Sequence, residues 1–231
     1  MGYDKIPEND GILLDLPFYE GGPIVTRDQG KPHHEDVLPV GTPTYPALAS
    51  GLKVITLDGA TEFLRLADAD CADLDFTAGD YSIGMWFTWS NTGIASQILL
   101  GRYALDQNGW EIYVTDYGGR YSVTLRHHHT AGSFTRTGCF SYSWPQDVWC
   151  FMGISRSGAN SYHYRNAIPL VVTGSLEDPE SCAEDLRIGV RYTEDTNFLK
   201  GSIWRPRIWD RIITAAEWRI MFDKERAWFG V

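Results

Sequence analysis

The residues of this chain that could do chemistry are carboxylates, imidazoles and aromatic rings, and their spacing decides which chemistry is open. Asp73 and Asp75 in Ala72-Asp-Leu-Asp-Phe76 have the spacing that puts two carboxylates on one face of a strand. A retaining glycosidase needs such a pair about 5 Å apart, but a solvated approach to a core strand explains it more simply. The run His127-His128-His129 raises the question of zinc, nickel or copper, because imidazole suits all three. In a strand only His127 and His129 share a face, and no third ligand is identifiable, so the expectation is an exposed strand end or loop. His33-His34-Glu35-Asp36 reads the same way, as loop polarity. Calcium fits better, since it takes hard oxygen ligands from loops. Its candidates are Asp28 in Asp28-Gln-Gly30, Asp58 in Asp58-Gly59 and Asp80 in Gly79-Asp-Tyr81. The alternative for Asp58 and Asp80 is that they set turns by hydrogen bonds from side chain to backbone. No Gly-x-Ser-x-Gly, P-loop or His-Glu-x-x-His pattern occurs.

Four cysteines, Cys71, Cys139, Cys150 and Cys182, show no C-x-x-C spacing, which argues against a zinc knuckle and leaves the disulfide pairings open. Cys139 and Cys150 could face each other across a hairpin; buried free thiols are the simpler reading.

Strand parity supplies a recognition surface. If Ile83, Met85 and Phe87 point into a core, Ser82, Gly84, Trp86 and Thr88 point the other way. By the same logic Glu111 and Tyr113 lie opposite Trp110, Ile112 and Val114, and Ser122, Thr124 and Arg126 join them. Trp86, Glu111, Tyr113 and Arg126 would then form an aromatic platform edged by hydrogen-bonding groups, suited to stacking a sugar ring or seating a protein partner. Parity does not say whether loops cover that face.

The elements that must position these residues are strands. Tyr81-Ser-Ile-Gly-Met-Trp-Phe-Thr-Trp89 alternates with period two, and shorter segments of the same kind begin at Ile12, Val54, Ile98, Trp110, Tyr121, Val148, Tyr162, Leu186 and Gly201. Turn signals separate them at Asp58-Gly59, Asn108-Gly109, Gly118-Gly119 and Ser157-Gly158. One helix is predicted, capped by Thr214 with Glu217 at capping-box spacing, carrying Trp218, Met221 and Phe222 on one face and running to roughly Glu225. The stretch from Asp28 to Ser50 reads as a long surface loop within the domain. The whole is an all-β, antiparallel two-sheet sandwich with a short C-terminal helix, preceded by an N-terminal arm over residues 1–10 and forming one domain over 11–231.

Composition agrees. Across 231 residues, 43% hydrophobic and 22% charged, there is enough apolar surface for a single core. The net charge of −10 argues against nucleic acid as a partner. No apolar run is long enough to span a membrane or serve as a signal peptide, so the expectation is a soluble chain.

Taken in order, these segments resemble laminin-G-like jelly rolls of the concanavalin-A-like superfamily. The resemblance rests on Leu16-Pro-Phe-Tyr-Glu-Gly21, Asp28-Gln-Gly30, Leu57-Asp-Gly-Ala-Thr-Glu-Phe-Leu64 and the strand from Leu74 to Trp86. It continues through Asp147-Val-Trp-Cys-Phe151, Tyr164-Arg-Asn-Ala167, Leu186-Arg-Ile-Gly189 and the closing segment from Phe198 to Glu217. Departures are Tyr19 in place of a frequent Asp, Ala167 in place of Gly, and Pro206 inside the last strand, where it implies an edge or a bulge. The resemblance implies the jelly-roll fold and a rim calcium of the kind many such domains carry. The Glu-x-Asp-x-x-Glu strand of related glucanases and the Arg-rich and Gln-x-His strands of related lyases are both absent. The expected function is therefore a non-catalytic recognition or structural module that binds carbohydrate or protein, as a virion or cell-surface component and with homo-oligomeric assembly open to it. The alternative is a glycan-cleaving enzyme on the same fold, with Glu111, Tyr113, Arg126 and the histidines as its polar inventory.

Overall fold

The computed structural model of the chain describes residues 6–18, 26–32, 34, 37–130 and 132–231. Its strands in chain order are β1 (Ile12–Asp15), β2 (Leu38–Val40), β3 (Ile55–Asp58), β4 (Phe63–Leu66), β5 (Tyr81–Phe87), β6 (Ser96–Ala104), β7 (Asn108–Asp116) and β8 (Tyr121–His129). There follow β9 (Ser133–Gly138), β10 (Cys150–Ser157), β11 (Asn160–Arg165), β12 (Ile168–Pro169), β13 (Thr173–Ser175), β14 (Leu186–Ile188), β15 (Lys200–Trp209) and the helix α1 (Ala215–Phe229).

Two antiparallel sheets result. The seven-stranded sheet runs β1-β15-β5-β10-β11-β12, with β3 also pairing β15; the eight-stranded sheet runs β13-β9-β8-β7-β6-β14-β4-β2. Their inner faces supply one core, to which β5 gives Tyr81, Ile83, Met85 and Phe87, β7 gives Trp110, Ile112 and Val114, and β8 gives Val123 and Leu125. Each such side chain contributes about 1.5–3 kcal/mol by leaving water. The fold expected from the sequence is the fold found.

Differences from the expected elements have identifiable causes. The capping box at Thr214 and Glu217 is present, but α1 continues to Phe229 and ends on Gly230 in the left-handed region. A carboxylate at 225 looks like the end of the apolar stripe, yet Glu225 is itself buried on that stripe. The bulge implied by Pro206 falls between Trp204 and Arg207, on a strand held on both sides by β1 and β5. The histidine run is the clearest correction: His127, His128 and His129 are not an exposed strand end but buried residues of β8. They are buried because His127 has Tyr81 and the Glu177 carbonyl as partners inside, while His128 has Glu111 outside. All four cysteines are free and buried. The sequence expectations at Tyr19–Gly21, His33, Glu35, Asp36 and the first five residues lie outside the described residues. Residues 7–10 of the expected arm are docked: Trp209 Nε1 donates to the Glu8 carbonyl at 2.8 Å, and Arg211 reaches the carbonyls of Asp10 and Pro7 at 2.7 and 3.0 Å.

Candidate functional site

The two sheets treat their outward faces differently, and this divides the four platform residues. Trp86 lies on β5, whose outward face is covered by α1. Its ring is fully buried, stacks on Phe229 at 4.1 Å and on Phe222 at 5.7 Å, and its Nε1 donates to Glu225 Oε2 at 2.8 Å. Trp86 therefore does not join Glu111, Tyr113 and Arg126, which belong to the other sheet. Parity was right about the direction of each side chain; what lay above Trp86 was the C-terminal helix.

On the eight-stranded sheet the remaining three converge. Cross-strand pairing sets Gly101, Glu111, Arg126 and Arg136 in one row over β6, β7, β8 and β9. Gly101 is required there, because a Cβ would stand 2.9 Å from that of Glu111. Glu111 is only 2% exposed, and its Oε1 meets Arg126 Nη1 at 3.1 Å and His128 Nε2 at 3.2 Å. The Asp106 N–H donates to His128 Nδ1 at 3.0 Å, which leaves the ring proton on Nε2 to donate to Glu111. Arg126 Nη2 donates to the Tyr113 hydroxyl at 2.7 Å, and its guanidinium is sandwiched between the Tyr113 and Phe134 rings at 4.6 and 4.5 Å. Tyr103 stacks on His128 at 4.9 Å. Burial, and then the Glu111 carboxylate, hold its phenol above the ordinary value; burial likewise raises Tyr113, against the pull of Arg126.

Together these residues floor a depression of about 180 Å³ lined by Ile98, Tyr103, Glu111, Tyr113, Arg126 and Arg191. Glu111 is its one lining carboxylate among the described residues. That suits a fixed acceptor flanked by rings and a guanidinium better than a two-carboxylate hydrolysis. Sequence reasoning missed Tyr103, Phe134 and Arg136, and named His128 only among the histidines, without placing it on this face. The parity that selected Arg126 would have selected His128 too, had the histidine run been read as strand.

The calcium candidates sit in separate networks. Asp28 Oδ1 accepts from the Asp15 and Gly30 N–H groups at 2.7 Å each, and its Oδ2 faces His34 Nδ1 at 2.7 Å. Asp58 Oδ1 accepts from the Ala60, Thr61 and Glu62 N–H groups, and its Oδ2 takes the Thr61 hydroxyl, which is the turn-setting arrangement. Asp80 accepts from Gly158 N at 3.1 Å. Among the described residues no group of three or more His, Cys, Asp or Glu side chains is arranged to hold a metal ion. Asp73 and Asp75 diverge: Asp73 bonds His34 Nε2 at 2.8 Å, while Asp75 holds Arg102, Ser181 and the Cys182 N–H. Burial opposes the charge of His34, but the carboxylates on both ring nitrogens outweigh it and hold the imidazolium up to about 9.

A model of the concanavalin A-like lectin/glucanases superfamily, of laminin-G type, matches residues 58–217. The chain belongs to this superfamily. No curated relative matches by sequence. Among solved structures, this member is similar to the binding domain of botulinum neurotoxin serotype D/C, at TM-score 0.71 and 12% identity, over 94% of this chain and 53% of that one. It is equally similar to the neurotoxin DC binding domain solved in complex with SialylT, at TM-score 0.71 and 12% identity over 94% and 51%. A third is a type C neurotoxin structure whose cell entry is described as dependent on two ganglioside molecules, at TM-score 0.72 and 12% identity over 94% and 52%. The chain spans about half the length of these binding domains. The likeness is one of fold. Among the described residues no helix is long and apolar enough to cross a membrane.

Proposed function

We propose that this chain is a non-catalytic carbohydrate-binding module whose ligand lies on the open face of the eight-stranded sheet, over Glu111, Tyr113 and Arg126. The observation that carries the reading is the fixed acceptor: one buried carboxylate, held by Arg126 and His128 and walled by aromatic rings, opening to solvent in a shallow depression. A sugar presents hydroxyls to such an acceptor and its C–H face to such rings. The ligands named for the neurotoxin binding domains, SialylT and gangliosides, support the carbohydrate class, although this chain matches only about half of those domains.

The test is a screen of plant, algal and bacterial polysaccharides and sialylated oligosaccharides, read for binding and, in parallel, for new reducing ends and unsaturated uronates. Binding without turnover, lost by about tenfold or more in Glu111→Gln, is the expected result. Turnover that Glu111→Gln abolishes would establish the glycan-cleaving alternative and overturn the module. Retention of binding by Glu111→Gln would remove the ligand from this face.

A further inference from the structure

The row that holds Glu111 and Arg126 extends in both directions. Gly101 pairs with Arg187 on β14, and Arg187 with Arg65 on β4, while Arg126 pairs with Arg136 on β9. Four arginines thus share one cross-strand row in a chain whose net charge is −10. Three of them are answered by carboxylates. Arg65 approaches Glu194 at 3.6 Å, Arg187 bonds Glu194 at 2.8 Å and Glu184 at 3.3 Å, and Arg126 bonds Glu111. Among the described residues no carboxylate pairs with Arg136. Its guanidinium sits among rings, 5.4 Å from Phe140, 5.7 Å from Phe134 and 5.8 Å from Tyr117.

The surroundings are built to stay open. Phe140 lies across Gly138, where a Cβ would stand 2.7 Å from its ring, and stacks on Tyr117 at 4.5 Å. Tyr117 is 47% and Phe134 43% exposed. The Gly118-Gly119 turn, held by Asp116 Oδ1 accepting from the Gly119 N–H at 2.7 Å, has nothing within 4 Å of where its side chains would be. Beside it opens a hollow of about 460 Å³ lined by Asp116, Tyr117, Gly118, Arg120 and Phe140. Arg120 also has no carboxylate partner among the described residues; its Nη1 donates to the Ser141 carbonyl at 3.3 Å.

We infer that the glycan bound on this face carries a carboxylate, a uronate or a sialate, which Arg136 receives while the sugar stacks on the Tyr117, Phe140 and Phe134 rings. The inference rests on the carbohydrate-binding reading and names its ligand class. Arginine stays charged when half-buried and offers a planar fork that matches a carboxylate. Rings on its flanks thin its hydration, so an incoming anion displaces little water. An acidic peptide would satisfy the guanidinium but makes no particular use of the exposed Tyr117 and Phe134 rings beside it, which is why a sugar is favoured.

The test is isothermal titration of the whole chain with paired probes: tetragalacturonate against its carboxyl-reduced neutral counterpart, and 3′-sialyllactose against lactose. The acidic member of at least one pair is expected to bind about tenfold tighter, with the preference weakened by salt. The pair that responds tells uronate from sialate. Arg136→Gln should erase the preference, Arg136→Lys should restore part of it, and Tyr117→Ala should weaken the acidic probe without changing the unfolding midpoint. Equal affinity within both pairs, or a preference that survives Arg136→Gln, overturns the inference while leaving the module intact. No binding of any glycan overturns both. Poly-glutamate binding as tightly as the acidic sugars, and indifferent to Tyr117→Ala, would assign the face to acidic peptides instead.

Discussion

The outward faces of the two sheets begin from the same alternation and end as opposites. On β5 and β10 the outward residues are Ser82, Gly84 and Trp86 against Ser155, Gly153 and Phe151, paired one for one. The two glycines form a trough into which Trp218 drops, with ring atoms 2.6 and 2.7 Å from where their Cβ atoms would be. The charges over this face neutralise one another: Glu225 bonds both nitrogens of the Arg207 fork at 2.9 and 3.0 Å, and Arg205 bridges Asp15 and Glu225. On β7, β8 and β9 the row from Glu111 through Arg126 to Arg136, with Tyr113, His128 and Phe134 beside it, is large, charged or aromatic; the small Gly138 seats only the ring of Phe140, two residues on, and ion pairs run sideways along the row. The difference teaches that small outward residues in register invite a covering helix, whereas a row of large residues whose charges pair sideways along the sheet leaves no seat for one.

Breaking the cover should have the largest effect. Trp218→Ala empties the trough between Gly84 and Gly153 and removes contacts with Trp209 and Phe151, and is expected to cost about 3–5 kcal/mol. Tyr117→Ala on the open face should stay within about 0.5 kcal/mol. Urea unfolding of both variants checks the contrast. If Trp218→Ala cost no more than Tyr117→Ala, the helix would not be a seal and the two faces would be alike.

Acid should act next, through the layer between the sheets. His163 is held down to about 3 by burial, and His127 to about 4 by burial against its bond to the Glu177 carbonyl. Both are neutral in the folded chain, whereas in the unfolded chain they take up protons below about 6.5. Their contribution is therefore present above pH 6.5 and lost as pH falls toward 4 and then 3. His34 has the opposite sign: raised to about 9, its contribution is complete below about 6.5 and is lost as pH rises from there through about 9. Urea midpoints measured from pH 4 to 10 should fall at both ends. His34→Gln should flatten the alkaline limb alone.

The same contrast explains which parts were legible in the sequence. The core strands were, because Tyr81 to Phe87, Trp110 to Val114 and Val123 to Leu125 alternate in apolar character. Strand β9, which carries Phe134 and Arg136, was not. Its inward residues are Thr135 and Thr137, satisfied by His129, Ser161 and His163 and not by apolar contact, so its alternation runs backwards. The outward direction of Trp86 and Glu111 was legible, but not what covered them. That depends on α1 crossing β5 and β10, a long-range packing fixed by Gly84 and Gly153 together, and neither glycine alone signals it. Glu225, which reads as the end of the helical stripe, can be buried only because Arg205 and Arg207 reach it from β15.

The finest distinction between the faces is what happens when one hydroxyl is removed from each. Ser155→Ala on the sealed side deletes the group 3.1 Å from Trp218 Nε1 and 2.7 Å from the Ile213 carbonyl, both buried beyond the reach of water. Two stranded polar groups are expected to cost about 1–3 kcal/mol. Tyr113→Phe on the open side deletes the acceptor of Arg126 Nη2, but the guanidinium is still held by Glu111 and water can take the vacated place. That change is expected to cost about 0.5–1.5 kcal/mol and to weaken acidic glycans several-fold by loosening Arg126. Comparing the two variants by urea unfolding and by titration tests whether the faces differ in access to water. Equal stability costs, with binding untouched in both, would mean that the open face is closed in solution, and the ligand would have to be sought elsewhere on the sandwich.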